Sequence, residues 1–348
     1  MSLVRFDRDP DRILIIKPSA IGDIVHALPA LNLVRRRWPA AKVSWLVTPA
    51  CADLIRGHPQ IDELIIFERK RFGAGWRSPR ALGELFDFLR SLRERRFDLV
   101  LDMQGLFRSG WMSWASRSPV RVGFSNAREG GWLFYTHRVR NDLRTHAVTR
   151  YLDLAEAVGC GREPVEFVLP VRDEDRAAVS ALLASGAPYA VLAPGANWDT
   201  KRWPIENFAA LVEPLRQEMG LASVIAGGPG DRELAAKIPG ATDLTGRTTL
   251  QELVALIGGA ALVIGNDSGP SHIAAALGRP LVTLYGPTSP TATGPWGKMD
   301  GVVQFAVPCH PCYKKHCSHQ SCLQKLEVAP VLTKIRQQLG SGRALPIL

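Results

Sequence analysis

With 348 residues, 46% of them hydrophobic, the chain is long enough for two α/β domains with large buried cores and too apolar to be disordered in bulk. Its 43 Lys and Arg against 33 Asp and Glu leave a formal net charge of +10, which points to an anionic partner: nucleic acid, a membrane surface or a phosphorylated small molecule. The longest weakly polar stretch, near 255–265, falls short of the roughly 18 to 20 residues that cross a bilayer, and the charged opening MSLVRFDRDPDR reads as no cleavable signal, so a cytosolic protein is expected.

β-branched runs alternating with helix-like stretches predict parallel sheets covered by helices on both faces. In the first half the predicted strands are 13–17, 43–47, 63–67, 99–103 and 121–124, with helices at 25–38, 81–95 and 106–116. A helix at 146–158 has no strand close behind it and leads into GCGREPVEFVLPVRDED, the expected linker. The alternation then restarts, with strands at 189–193, 223–226, 262–265 and 281–285 and helices at 205–218, 231–237, 250–256 and 271–277. A last helix, 331–339, fits either domain. The fold class is therefore α/β, two doubly wound Rossmann-like domains, divided as 1–170 and 171–348, with ligands expected at the carboxyl ends of the strands.

The polar loops that follow these strands are the candidates for chemistry. KPSAIGDIVH lacks the glycine fingerprint of a dinucleotide fold and carries Asp23, either a first-turn acid favoured by the helix dipole or a general base for a hydroxyl nucleophile. In APGANWDTKRWPIENF, Lys201 precedes a helix start and is either a solvated lysine or a phosphate contact. IAGGPGDRE brings Asp231 and Glu233 to the next helix, as N-terminal acids or as acceptors for ribose hydroxyls. In LVIGNDSGPSHIAAALG, Asp267, Ser268 and Gly269 precede a helix whose free N–H groups make an anion site, with His272 one turn in, facing the ligand or the neighbouring strand.

KPSAIGDIVHALPAL, DMQGLFRSG, PGANWDTKRWP and GNDSGPSHIAAALGRPLVTLYGPTSP, in this order and across 12–297, resemble the ADP-heptose:lipopolysaccharide heptosyltransferases of glycosyltransferase family 9. The resemblance implies the GT-B fold, an N-terminal acceptor domain facing a C-terminal nucleotide-sugar domain across a cleft. It implies Asp23 as catalytic base and Lys201 as contact to the donor phosphate or sugar. Asp267 is implied to bind the donor heptose, Ser268, Gly269 and His272 the diphosphate side, and Thr248 and Asp231 the adenosine. On the acceptor side it implies Arg69, Lys70, Arg71, Gln104 and Arg128, set for an anionic glycolipid core.

The reaction so implied is an inverting transfer of heptose from ADP-L-glycero-D-manno-heptose to a hydroxyl of the lipopolysaccharide inner core, on Kdo-lipid A or heptosyl-Kdo-lipid A. It proceeds on the cytoplasmic, peripheral face of the inner membrane. No cofactor is required, in keeping with the absence of a D-x-D loop at a strand end. DMQG and NAREGG look more like the type I enzymes, whereas a cysteine cluster such as CHPCYKKHCSHQSC occurs in relatives resembling type II. In that cluster Cys309, Cys312, Cys317 and Cys322 have the ligand number of a structural zinc or iron site, on a spacing that matches neither common zinc pattern.

The rival readings are a family 9 transferase with another nucleotide-sugar donor or a protein acceptor, a dehydrogenase and a nucleic-acid binder. A dehydrogenase lacks its glycine fingerprint here. No nucleic-acid partner is expected, because the nine tryptophans are scattered rather than interleaved with basic residues.

Overall fold

Strands buried on both faces read as continuous aliphatic runs, because a parallel sheet wrapped by crossover helices leaves no face for polar residues. The computed structural model describes residues 3–73, 78–183 and 186–341 and divides into two units, Met1–Pro170 and Val171–Leu348. Each unit carries one six-stranded parallel sheet.

The first unit runs β1 (Arg12–Ile16), α1 (Ile21–Arg37), β2 (Lys42–Val47), α2 (Pro49–Ile55), β3 (Glu63–Ile66), α3 (Arg69–Gly73), α4 (Pro79–Glu94), β4 (Leu99–Asp102) and α5 (Phe107–Ala115). It continues through β5 (Val120–Phe124), a 3-10 segment Arg128–Phe134, β6 (His137–Val139) and α6 (Ala147–Ala157). The strand order is β3-β2-β1-β4-β5-β6, with Ile13 of β1 in register with Val43 on one side and Leu99 on the other. α1 packs against α6 and buries Ile24, Leu28 and Leu31 completely, each contributing about 1.5–3 kcal/mol of transfer free energy. Its last turn holds Arg35, Arg36 and Arg37, favourable at the negative end of the helix.

The second unit runs α7 (Asp173–Leu183), β7 (Tyr189–Ala193), a 3-10 turn Asp199–Lys201, α8 (Ile205–Gln217), β8 (Ala222–Ile225), a 3-10 turn Pro229–Asp231, α9 (Arg232–Ala235), β9 (Thr242–Asp243) and α10 (Leu250–Gly259). Then follow β10 (Leu262–Asn266), α11 (Gly269–Ala276), β11 (Leu281–Tyr285), α12 (Pro290–Thr293), β12 (Val302–Gln304), α13 (Ser321–Gln324) and α14 (Val328–Ser341). Its order, β12-β11-β10-β7-β8-β9, repeats that of the first unit: the first strand lies beside the fourth, and between those two the direction of winding reverses. That switch point is where an open α/β sheet leaves a crevice at the carboxyl ends of its strands.

Several elements differ from the sequence reading. α1 starts four residues before the predicted 25, because Asp23 closes its first turn onto the Ala20 N–H. α2, α3, β6, β9 and β12 are too short to show a period. α7 begins inside the stretch read as linker. The rest of that stretch returns along the first unit, where Asn32 Nδ2 donates to Glu166 O at 2.6 Å. The last helix belongs to the second unit: Val331 and Ile335 are fully buried in its core.

Candidate active site

In the first unit the switch point lies between β1 and β4. Lys17 follows β1 and is buried, and Asp102 closes β4 with no exposure at all. Asp23, third residue of α1, accepts the Ala20 N–H on Oδ2 at 3.2 Å, the interaction of an N-terminal acid. The same oxygen lies 3.8 Å from Lys17 Nζ. The Asp23 side chain nevertheless keeps 43% of its exposure, so a carboxylate already oriented by backbone and cation remains open to a ligand.

Lys17 Nζ also stands 5.2 Å from the centre of the Tyr151 ring on α6. Burial works against its charge, but Asp23, Tyr151 and Asp102 outweigh burial and hold its pKa above the ordinary lysine value. Asp102 accepts the N–H groups of Gln104 and Gly105 on one oxygen, at 2.9 and 3.2 Å, and the Tyr135 hydroxyl on the other at 2.6 Å. Burial raises its pKa despite these donors. Gly123 makes room for this contact, since a Cβ there would stand 2.3 Å from the Tyr135 ring. His26, one turn after Asp23, meets His146 edge-on with ring centres 5.2 Å apart. Lys17, Asp102, Tyr135 and Tyr151 were not singled out in the sequence; the position of Lys17 and Asp102 at strand ends was the available signal.

Of the candidates for anion contacts in this unit, Arg69 and Arg128 are exposed. Arg71 is exposed too, but pairs with Glu84 of α4. Residues 74–77 and the side chain of Lys70 lie outside the described residues. Gln104 is half-buried, and its Oε1 is enclosed without a hydrogen-bond partner among the described residues.

In the second unit the switch point lies between β7 and β10, and the predicted residues meet there. Lys201 Nζ is 2.6 Å from Asp267 Oδ2, with the lysine 18% and the aspartate 4% exposed. His272 Nε2 lies 3.5 Å from Asp267 Oδ1, and the Thr288 hydroxyl donates to Oδ2 at 2.6 Å. Burial alone would raise the Asp267 pKa, but His272 and Lys201 outweigh it and hold this carboxyl well below the usual carboxylate range. Trp198 covers Lys201, whose Nζ is 4.8 Å from its ring centre.

The loops are pinned by Asn266, which the sequence reading passed over: its Oδ1 accepts the Trp203 N–H at 3.1 Å and its Nδ2 donates to Pro194 O at 2.7 Å. Trp203 anchors the Trp-Pro turn in the core, its indole N–H donating to Leu326 O at 2.8 Å. Ser268 and Gly269 open α11, and the Ser268 hydroxyl is enclosed without a hydrogen-bond partner among the described residues. Asp231 accepts the Gly228 N–H at 2.9 Å and lies against Gly195, where a Cβ would stand 2.6 Å from its carboxylate. Thr248, half-buried, immediately precedes Thr249, the N-cap of α10.

The four cysteines read as candidate metal ligands lie near one another: burial raises the Cys322 thiol pKa, and Cys312, Cys309 and Cys317 add to it. Cys309 faces solvent, Cys322 packs against the apolar core of the second unit, and Cys317 Sγ takes the Gln320 N–H at 3.4 Å. Among the described residues, no group of three or more His, Cys, Asp or Glu side chains is arranged to hold a metal ion. Nor is any helix among them long and apolar enough to cross a membrane.

Comparison with known proteins agrees with this fold. The family model described as glycosyltransferase family 9 (heptosyltransferase) matches residues 85–323. The chain is 31% identical to lipopolysaccharide heptosyltransferase 1 of Pseudomonas aeruginosa over 319 residues, 89% of this chain and 88% of that protein. Among solved structures it is similar to the Escherichia coli heptosyltransferase WaaC with ADP, with a TM-score of 0.76 at 27% identity over 94% of this chain and 99% of that one. The E. coli ADP-heptose lps heptosyltransferase II also has a TM-score of 0.76, at 26% identity over 95% of this chain and 99% of that one.

Proposed function

The chain belongs to glycosyltransferase family 9, the heptosyltransferases, and from that premise we propose an inverting transfer of heptose from ADP-L-glycero-D-manno-heptose to a hydroxyl of the lipopolysaccharide inner core. The observation that carries the reading is the different treatment of two carboxylates. Asp267 is buried and already saturated by Lys201, His272 and Thr288, which suits a group that orients a donor. Asp23 is oriented by one backbone N–H and one buried ammonium yet stays accessible, which suits a group that must take a proton from an incoming hydroxyl.

In this mechanism residues 1–170 bind the acceptor and residues 171–348 the donor. Asp23 removes the proton of the acceptor hydroxyl, which attacks the anomeric carbon opposite the departing ADP and inverts it. Charge growing on the diphosphate is met by Lys201 and by the free N–H groups at the start of α11, with Ser268, Gly269 and His272 lining that side. These fixed charges do the stabilising, and the chemistry needs no metal. Asp231 and Thr248 contact the adenosine. Arg69, Lys70, Arg71, Gln104 and Arg128 receive the anionic core, and the enzyme works on the cytoplasmic side of the inner membrane, held there peripherally.

The test is incubation with ADP-heptose and a truncated Kdo-lipid A while ADP release is followed. Transfer with inversion supports the reading. Activity with a different nucleotide sugar and none with ADP-heptose would overturn the donor assignment.

A further inference from the structure

α5 presents Phe107, Gly110, Trp111 and Trp114 on one face, at the spacing of successive helical turns. Gly110 brings that face onto the Arg128–Phe134 segment so closely that a Cβ would stand 2.6 Å from Gly131 O, and Phe107 meets Phe134 edge-on at 5.2 Å. The two elements thus form one surface. Trp111 packs on the core of the unit, but Leu133 is 61%, Phe107 48%, Trp114 42% and Trp132 36% exposed. Scattered exposed hydrophobics need no explanation; a contiguous group on two interlocked elements does.

The segment that forms this surface is predominantly basic. From 103 to 141 the chain carries six arginines and a single acid, Glu129. Arg117 lies over the Trp114 ring and Arg138 over the Trp132 ring, each 4.7 Å from the ring centre, so each guanidinium rests on a tryptophan rather than on a carboxylate. Tryptophan with stacked arginine suits the boundary between acyl chains and phosphates: the indole enters the apolar layer and the guanidinium stays at headgroup depth.

We propose that the surface formed by α5 and Arg128–Phe134 is the face by which this chain docks on an anionic lipid bilayer. The apolar side chains supply insertion and the arginines supply attraction to lipid phosphates, the two contributions that together hold an interfacial protein without a spanning helix. The proposal deepens the reading of a lipid-anchored acceptor and rests on it for its purpose, but vesicle binding is measured without any turnover.

The experiment is co-sedimentation of the full chain with vesicles of phosphatidylglycerol and phosphatidylcholine in equal parts, and of phosphatidylcholine alone. Two double variants are compared, Trp132→Ser with Leu133→Ser and Arg117→Gln with Arg138→Gln, alongside heptosyl transfer to a detergent-dispersed acceptor. Binding of the unaltered chain to the anionic vesicles, weakened about tenfold or more in each double variant with transfer to the dispersed acceptor retained, is the expected result. Equal binding by unaltered chain and arginine variant, or equal affinity for the uncharged vesicles, would overturn it. So would a dimer in solution that either variant converts to monomer, which assigns the surface to a second copy. Should the Trp132 and Leu133 pair fail to fold, the arginine variant, altered only in exposed charge, carries the test. Failure of transfer to every heptose acceptor with vesicle binding intact would instead count against the enzymatic reading alone.

Discussion

His58, just after α2, is 2% exposed, and both its ring nitrogens are committed. Nε2 lies 2.9 Å from Val168 O, which can only accept, so Nε2 must donate; the Gln60 N–H points at Nδ1 from 3.2 Å, so Nδ1 must accept. Only the neutral ring meets both demands. Burial lowers its pKa from 6.5 to about 4, against the smaller opposing effect of the Val168 carbonyl. Because the folded value is depressed, the unfolded chain binds more protons between the two values. This contribution to stability is full above about pH 6.5 and is lost as the pH falls toward about 4. Linkage between those values gives a loss of about 2 kcal/mol at about pH 5 relative to neutrality, rising to about 3 kcal/mol below pH 4. The assay is the urea-unfolding midpoint of the first unit's transition at pH 7.5 and pH 5.0, for the unaltered chain and for His58→Gln, whose amide can serve both partners without titrating. The unaltered chain is expected to lose about 2 kcal/mol more than the variant between these pH values. Matching pH dependence in the two proteins, or a His58 ring resonance that titrates near 6.5, would refute the argument.

Asp23→Asn keeps the shape of the first turn of α1 but removes the base, so turnover is expected to fall roughly 10²- to 10⁴-fold with ADP binding unchanged, read by steady-state kinetics and calorimetry. Lys201→Met strips Asp267 of its cation in a nearly closed site, and a stability loss of about 3 kcal/mol is expected together with a turnover loss of about 10²-fold. Thermal melting with and without ADP separates the two effects. Lys17→Met leaves Asp102 wholly buried and Asp23 without its ammonium; about 3–5 kcal/mol of stability should go, measured by denaturant unfolding, and an unchanged midpoint would show that Lys17 is not the buried counter-ion. Gly123→Ala drives a methyl into the Tyr135 ring and should cost about 1–3 kcal/mol, seen as a lowered melting temperature.

Apart from α7, which was not predicted, the elements long enough to show a period were legible in the chain, since the alternation of β1 to β5 and of β7, β8, β10 and β11 with their helices depends on local composition. β9, with two residues, and β12, with three, carry no such pattern and exist as strands because β8 and β11 offer them an edge. The stretch from Gly159 read as linker shows the same limit: its Pro and polar residues do speak for irregular backbone, but that it returns along the first unit depends on Asn32 and His58, which lie far away in the chain.

Loops at strand ends announced Asp23, Lys201, Asp267 and His272, because a Rossmann-like sheet delivers such residues to one rim whatever their neighbours are. Their state was decided by tertiary structure. That Lys201 and Asp267 form a buried pair, joined by Thr288 from the turn after β11, follows from strand order, which sets β10 between β7 and β11. That Asp23 shares a rim with a buried lysine, a tyrosine of α6 and the wholly buried Asp102 follows from β1 lying beside β4 and α1 lying on α6. Residue types and their local spacing determined which chemistry was present; only the packing of distant segments decided which charges were neutralised and which carboxylate was left accessible, because desolvation and Coulomb attraction act through space and not along the chain.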